Sequence, residues 1–158
     1  MSVDIKYALK EGAKAPFKGS EDAGWWDLHA FLEEGKDGVY KDAEGKLKLI
    51  LLPNVATAVP TGFFTEIPTG YRAKVEGRSG LALKKTVHPL GGCVDSDYRG
   101  EWKAVLLNSG THPIGVDQHD RVAQFAIEAV IPTTFTPTTL EELTTTKRGE
   151  TGFGASGK

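Results

Sequence analysis

Short apolar runs, each ended by turn-forming residues, recur along this chain and leave little room for long helices. Residues 3–7 and 71–75 alternate strictly between apolar and polar side chains, the pattern of strands with one face in a core. Three further runs have strand length, at residues 47–52, 102–107 and 122–131. Because the 158 residues also include 19 glycines and 8 prolines, the sequence predicts an all-β sandwich, barrel or jelly roll.

Other segments depart from this pattern. Residues 79–85 favour one or two helical turns, and residues 139–143 favour one more. Residues 33–46 contain three glycines and eight charged residues, which predicts a solvated loop or a two-stranded excursion. From residue 144 onward the only large apolar side chain is Phe153. We therefore expect one β domain over residues 1–143 and a C-terminal arm over residues 144–158 that becomes ordered when it gains contacts.

The charge balance limits the classes of partner. A formal net charge of -2 and a pI near 6.1 remove the electrostatic basis for binding duplex nucleic acid or an anionic membrane. The single cysteine, Cys93, excludes an intrachain disulfide and a cysteine-built zinc site. No apolar run approaches the roughly 18 residues of a membrane span. We expect a cytoplasmic protein, in the host cytoplasm if the source is viral, that binds any phosphate through local side chains.

Two segments have the composition of phosphate sites. In the arm, glycines free backbone N–H groups to surround an anion, Arg148 and Ser156 add donors, and Phe153 offers a stacking face. A merely flexible C-terminus is the alternative. Arg78-Ser79-Gly80 lies between a predicted strand and a predicted helical turn, where its donors could converge on phosphate oxygens. An ordinary capped turn is the alternative there.

The densest polar cluster lies in residues 91–100. Two carboxylates, a tyrosine and an arginine within five residues are costly near a core unless they are paired or functional. Strand alternation places Asp95 and Asp97 on one face and Tyr98 on the other. A solvated turn with an Asp97–Arg99 surface pair would explain the same residues without a function.

Two more charged segments interrupt apolar stretches. Asp27 lies within residues 23–30, and residues 120–124 open a predicted strand with Asp120 and Arg121. Each of these charges alone fits a structural ion pair as well as a site. The four histidines lack the spacing of a metal-ligand pair.

Taken in order, these segments resemble the five motifs of the trimeric dUTP diphosphatase (dUTPase) family. The matching stretches are residues 23–30, 78–81, 92–100, 120–124 and 148–157. The resemblance implies a jelly-roll subunit, a homotrimer with three sites at the subunit interfaces, a Mg²⁺ cofactor, and hydrolysis of dUTP to dUMP and pyrophosphate.

The resemblance also implies residue roles. Asp95 matches the residue that orients and activates the attacking water, and Tyr98 the one that packs under the deoxyribose. Asp27 matches the acid that binds Mg²⁺ through water. The implied substrate-binding residues are Arg78, Ser79, Gly80, Cys93, Val94, Lys103, Gln124, Arg148, Phe153, Gly154 and Ser156.

Some positions depart from the family pattern, and two other readings compete with it. Pro89 stands where some members place an asparagine that reads the base, so we expect main-chain groups near residues 90–94 and Lys103 to read uracil.

The related dCTP deaminases resemble the chain less well, because Gly80 follows Arg78-Ser79 where they have a second serine. A jelly-roll binding module is the third reading, with a sugar platform of Trp25, Trp26 and Trp102.

Overall fold

The computed structural model describes residues 2–151, which form twelve β-strands and one short helix. The strands are β1 (Lys6–Leu9), β2 (Trp26–His29), β3 (Tyr40–Lys41), β4 (Leu47–Leu51), β5 (Ala56–Pro60), β6 (Phe63–Glu66), β7 (Tyr71–Glu76), β8 (Val87–Pro89), β9 (Cys93–Val94), β10 (Lys103–Asn108), β11 (Ile114–Asp117) and β12 (Arg121–Ala129). The helix, α1, spans Ser79–Lys85. The predicted all-β, jelly-roll class is confirmed.

The strands form four small sheets, and one of them contains strands from three of the five motif stretches. Its strand order is β2-β12-β7-β9, and every pairing in it is antiparallel. The register places Gln124 of β12 opposite Asp27 of β2 and also opposite Glu76 of β7. Because β12 is hydrogen-bonded on both sides, segments far apart in the sequence are fixed next to one another.

The core lies between the sheets. Every second side chain from Trp102 along β10 is buried in it. Trp102, Ala104 and Leu106 are each no more than 2% exposed, whereas the residues between them lie closer to solvent. Trp102 packs edge-on against Phe63 and Phe125, with both ring-centroid distances at 5.0 Å. Aromatic pairs in this geometry contribute about 0.5–1.5 kcal/mol each beyond their buried area. This aromatic packing fixes the start of β10 in the core, and with it the position of the neighbouring loops.

Most strand predictions agree with the structure, and the departures have simple causes. The predicted strands at 47–52, 71–75, 102–107 and 122–131 correspond to β4, β7, β10 and β12. The predicted strand at 3–7 is shifted, since β1 begins at Lys6 and Ile5 packs on the core from outside it. The predicted helical segment 79–85 is α1, whereas 139–143 forms hydrogen-bonded turns only.

The charged segment 33–46 contains one short strand, β3, which pairs with β4 just beyond the segment. The turn between these strands is closed by an Asp42 carboxylate that accepts from the N–H groups of Glu44 and Lys46. Val39 is 5% exposed and fixes the segment to the core. No helix within residues 2–151 has the length and apolar character that a membrane crossing requires.

Candidate active site

Asp27 is a buried carboxylate bound by two arginines. It lies in β2, where its Oδ1 accepts a 2.7 Å hydrogen bond from Arg78 Nε and its Oδ2 a 3.2 Å bond from Arg121 Nη1. Charge-assisted bonds of this kind are shorter and stronger than neutral ones. The ion pair considered from the sequence is therefore present, and it joins three of the five motifs.

The segment before α1 positions Arg78. The Gln124 side-chain amide donates to the Gly77 carbonyl at 2.9 Å, which ties the end of β7 to β12. Arg78 itself is the N-cap residue, no side chain caps the helix N-terminus, and the Arg78 side chain binds Asp27. The simple capped turn considered from the sequence is therefore wrong. Ser79 and Gly80 are exposed at the start of α1.

A stacked group of side chains lies beside this cluster. The Phe17 ring stacks on His29 at a centroid distance of 5.5 Å, and the Arg121 guanidinium lies 5.9 Å from the centroid of the same ring. The Phe17 carbonyl accepts from the Asp27 N–H at 2.8 Å. Burial, with Lys14 nearby, lowers the pKa of His29. The sequence pattern did not indicate Phe17, which precedes the first motif in an irregular segment.

A second group of site residues lines a cavity of about 520 Å³. The Gly92 carbonyl accepts from the Val75 N–H at 2.7 Å, which fixes the strand β9 beside β7. Five predicted site residues line this cavity: Cys93, Val94, Asp95, Tyr98 and Lys103. We name it the nucleoside cavity, after the ligand that the sequence resemblance implies for these residues.

The turn after β9 corrects one prediction. The Tyr98 N–H donates to the Asp95 carbonyl at 3.2 Å, and this turn brings both side chains to the nucleoside cavity rather than to opposite faces. Strand alternation failed here because β9 ends at Val94. The proposed Asp97–Arg99 pair is also wrong, since Arg99 donates to the carbonyls of Ser96 and Tyr98.

The far wall of the cavity is the segment that leads into β10. Tyr98 Oη donates to the Glu101 carbonyl at 3.1 Å, which fixes the ring against this wall. Lys103 Nζ lies 2.8 Å from Asp37 Oδ1. Glu101 also lines the cavity, and Asp37 contacts its wall through Lys103, although the sequence motifs singled out neither residue. Trp102 is buried, so it cannot contribute to the sugar platform considered from the sequence.

The structure thus divides the predicted site residues into two groups. Arg78, Ser79, Gly80 and Gln124 do not line the nucleoside cavity. Arg78 and Arg121 instead line a separate cavity of about 220 Å³. In the arm, Arg148 Nε donates to the Thr151 carbonyl at 3.0 Å and the side chain is exposed. The predicted roles of Phe153, Gly154 and Ser156 lie outside the described residues.

Comparison with known proteins places this geometry in one family. A sequence model of the dUTPase family matches residues 42–157. The deoxyuridine 5'-triphosphate nucleotidohydrolase of Caldanaerobacter subterraneus subsp. tengcongensis is 37% identical over 142 residues, which are 89% of this chain and 95% of that protein. The enzyme of the same name from Fusobacterium nucleatum is 34% identical, over 99% of this chain and 98% of that protein.

Solved structures show the same fold at lower sequence identity. The Staphylococcus bacteriophage 80alpha dUTPase with dUPNHPP superposes with a TM-score of 0.78 at 19% identity, over 99% of this chain and 100% of that one. A mutant dUTPase from phage phi11 of S. aureus, described as coordinating a structural Mg(II) ion, gives 0.71 at 15% identity, over 89% and 100%. With the family match and the near full-length relatives, these findings establish that this chain belongs to the dUTPase family.

Proposed function

We propose that the protein hydrolyses dUTP to dUMP and pyrophosphate, through attack of a water molecule on the α-phosphate. The observation that carries this proposal is the nucleoside cavity, with the Asp95 carboxylate and the Tyr98 ring on its wall. A cavity of about 520 Å³ lies within the range of small-molecule sites. The names of the relatives support the same reaction.

Asp95 is the proposed general base. Its carboxylate accepts a proton from the attacking water, and the new bond forms between the water oxygen and the α-phosphorus. The bond between the α-phosphorus and the oxygen that joins the α- and β-phosphates breaks, and pyrophosphate leaves with that oxygen. A positioned general base contributes about 10²–10⁴-fold to a rate.

Tyr98 is proposed to select deoxyribose. Its ring is 46% exposed, and its hydroxyl is bonded to the Glu101 carbonyl, so the ring cannot swing away without losing that bond. A fixed ring under the sugar leaves no room for a 2′-hydroxyl, which is how a rigid wall rejects a larger substrate.

Asp27, Arg78 and Arg121 are suited to a metal-bound triphosphate. Within residues 2–151 no three His, Cys, Asp or Glu side chains converge on one point. One buried carboxylate fits Mg²⁺, which keeps several waters and takes further ligands from substrate phosphates. When bound, Mg²⁺ would offset phosphate charge. Arg78 would then orient the phosphate chain, and Asp27 would bind the hydration shell.

A homotrimer with sites at the subunit interfaces would join the two groups of site residues. The division of these residues between two cavities supports it, because one subunit's nucleoside cavity is not lined by the phosphate-binding group. Residues 130–151 are exposed, and their apolar side chains include Ile131 at 82% and Phe135 at 91%. An apolar groove of about 460 Å³, lined in part by Trp26 and Phe125, offers a second copy's segment a place to bind.

Pyrophosphate release tests the reaction. We expect release from dUTP in the presence of Mg²⁺, and little from dTTP, dCTP or UTP. Asp95→Asn should lower turnover by about 10²–10⁴-fold. Asp97→Asn is the matched control, since Asp97 lies two residues away and does not line the cavity. Ammonia release from dCTP, or Asp95→Asn turnover equal to that of the control, would overturn the proposal.

Light scattering tests the assembly separately. A homotrimer has a mass of about three times 17.0 kDa. A monomer that hydrolyses dUTP at the full rate would show that the site is complete within one chain.

A further inference from the structure

A charged turn lies against the outer side of the nucleoside cavity. We name residues 33–37 the strap. At its end, the Asp37 carboxylate contacts Lys103 Nζ at 2.8 Å, and Lys103 lines the cavity. This contact crosses 66 positions of sequence and joins the segment that carries no family motif to the wall of the site.

The start of the strap reaches the same wall through a lysine. Glu33 Oε2 lies 2.6 Å from Lys10 Nζ, and the same ammonium lies 3.0 Å from Glu101 Oε2. The other carboxylate oxygen of Glu101 accepts from the Gly62 N–H at 2.8 Å. Both ends of the strap are therefore linked to the short segment 101–103 by ion pairs, Glu33 through Lys10 and Asp37 directly.

The backbone of the strap is itself well fixed. The Lys36 N–H donates to the Glu33 carbonyl at 3.1 Å, and the Val39 N–H donates to the Lys36 carbonyl at 2.8 Å. Buried Val39 anchors the turn in the core. Asp37 has a φ of 52°, a left-handed conformation that asparagine and aspartate tolerate better than other residues with a side chain. The carboxylate of Asp37 is thus presented to Lys103 by a defined turn.

The wall segment 101–103 presents one side chain to the core and two to the strap. Glu101 and Lys103 flank Trp102, whose ring is buried in the core. Side chains two positions apart along an extended chain share a face, so both charged groups point away from the core. Trp102 fixes the wall from the inside, and the strap fixes it from the outside.

We propose that the strap is a positioning element for the nucleoside cavity and that Asp37 is its principal positioning residue. By binding Lys103, Asp37 fixes the wall against which the base lies and keeps the ammonium out of the cavity. This inference rests on the proposed function. Because exposed ion pairs add little to folding stability, the effect appears in nucleotide affinity rather than in the melting temperature.

The decisive variant is Asp37→Asn, which keeps the left-handed backbone and removes the charge. We expect the Kd for a non-hydrolysable dUTP analogue, and the KM for dUTP, to rise about two- to five-fold, the range that an exposed ion pair can supply. Turnover should stay at the wild-type value, and the melting temperature should fall by no more than about 4 °C. The conservative change Asp37→Glu should retain part of the wild-type affinity.

Glu34→Gln is the matched control. Glu34 lies in the same turn and pairs with Lys41 at 2.6 Å, and neither residue lines the cavity. This variant should bind the analogue as the wild type does. The ratio of Kd between Asp37→Asn and wild type should also fall toward one in about 1 M salt, because salt weakens ion pairs that are exposed to solvent.

The possible outcomes separate the two proposals. Equal analogue binding by Asp37→Asn and wild type overturns the positioning role alone. An equal loss of affinity in Asp37→Asn and Glu34→Gln also overturns it, because the effect would then belong to the turn in general. No binding of the analogue by the wild-type protein overturns the proposed function, and this inference with it.

Discussion

Gly92 allows a sharp test of how the nucleoside cavity is built. Its φ is 102°, in the region that side chains rarely adopt. A Cβ placed there would lie 2.5 Å from the Val75 carbonyl oxygen, which is backbone of a central strand and cannot rotate away. Gly92→Ala must therefore separate β9 from β7 or distort both, since the Val75–Gly92 hydrogen bond lies at the same point.

Two costs set the size of the effect. The left-handed conformation costs a residue with a side chain about 1–2 kcal/mol. Insertion of a methyl group against fixed atoms costs about 1–3 kcal/mol more. For a chain of this size each kcal/mol lowers the melting temperature by about 2–4 °C, so the two costs, about 2–5 kcal/mol together, predict a fall of roughly 4–20 °C. The KM for dUTP should rise as well, because the Gly92 backbone forms part of the cavity wall.

Gly91→Ala separates the two costs. Gly91 has a φ of 71°, and no atom lies within 4 Å of a Cβ built there, so only the conformational cost applies. Thermal unfolding of the three proteins at one concentration measures both effects. If Gly92→Ala and Gly91→Ala melt at the same temperature, the close approach to Val75 carries no cost and the reasoning fails.

Three further perturbations have defined outcomes. Tyr98→Ala should raise the UTP-to-dUTP ratio of kcat/KM, and an unchanged ratio would assign ribose rejection to another residue. Truncation after Thr146 should lower turnover more than affinity for the dUTP analogue, because the proposed arm excludes water; full turnover would remove the arm from the mechanism. Hydrogen bonds from Lys10 and Lys36 lower the pKa of Glu33 to about 2 from 4.5. The contribution of the ionised Glu33 carboxylate to folding stability is therefore complete above about pH 4.5 and is lost as the pH falls toward 2. Glu33→Gln should flatten the acid-side loss of melting temperature in that interval, and a curve as steep as the wild-type curve would contradict this.

Much of the fold could be predicted from local sequence patterns, because apolar and polar side chains that alternate along a strand are alternately buried and exposed. The runs that became β7 and β10 each bury alternate side chains, so their strands could be read without knowing their partners. β3 and β9 contain two residues each and could not be read this way. They form because neighbouring strands offer hydrogen bonds, which is tertiary information.

The sequence motifs indicated candidate site residues but not their arrangement. The motif containing Asp95 and Tyr98 was identified, yet the turn that brings both to one cavity depends on where β9 ends. Nor does any local pattern indicate that Asp37 reaches Lys103, since that contact is set by the packing of Val39 in the core. Charged residues in a glycine-rich segment look the same whether they face solvent or a distant strand.

If the proposed homotrimer forms, the division of the candidate site residues between two cavities has a genetic consequence. A subunit carrying Asp95→Asn keeps its Asp27–Arg78 cluster, and a subunit carrying Arg78→Ala keeps its nucleoside cavity. When both are produced in one cell, random mixing gives trimers in which an intact cavity meets an intact cluster across an interface. Two inactive alleles would then complement each other, whereas either allele mixed with the wild type would reduce activity in proportion to the interfaces it occupies.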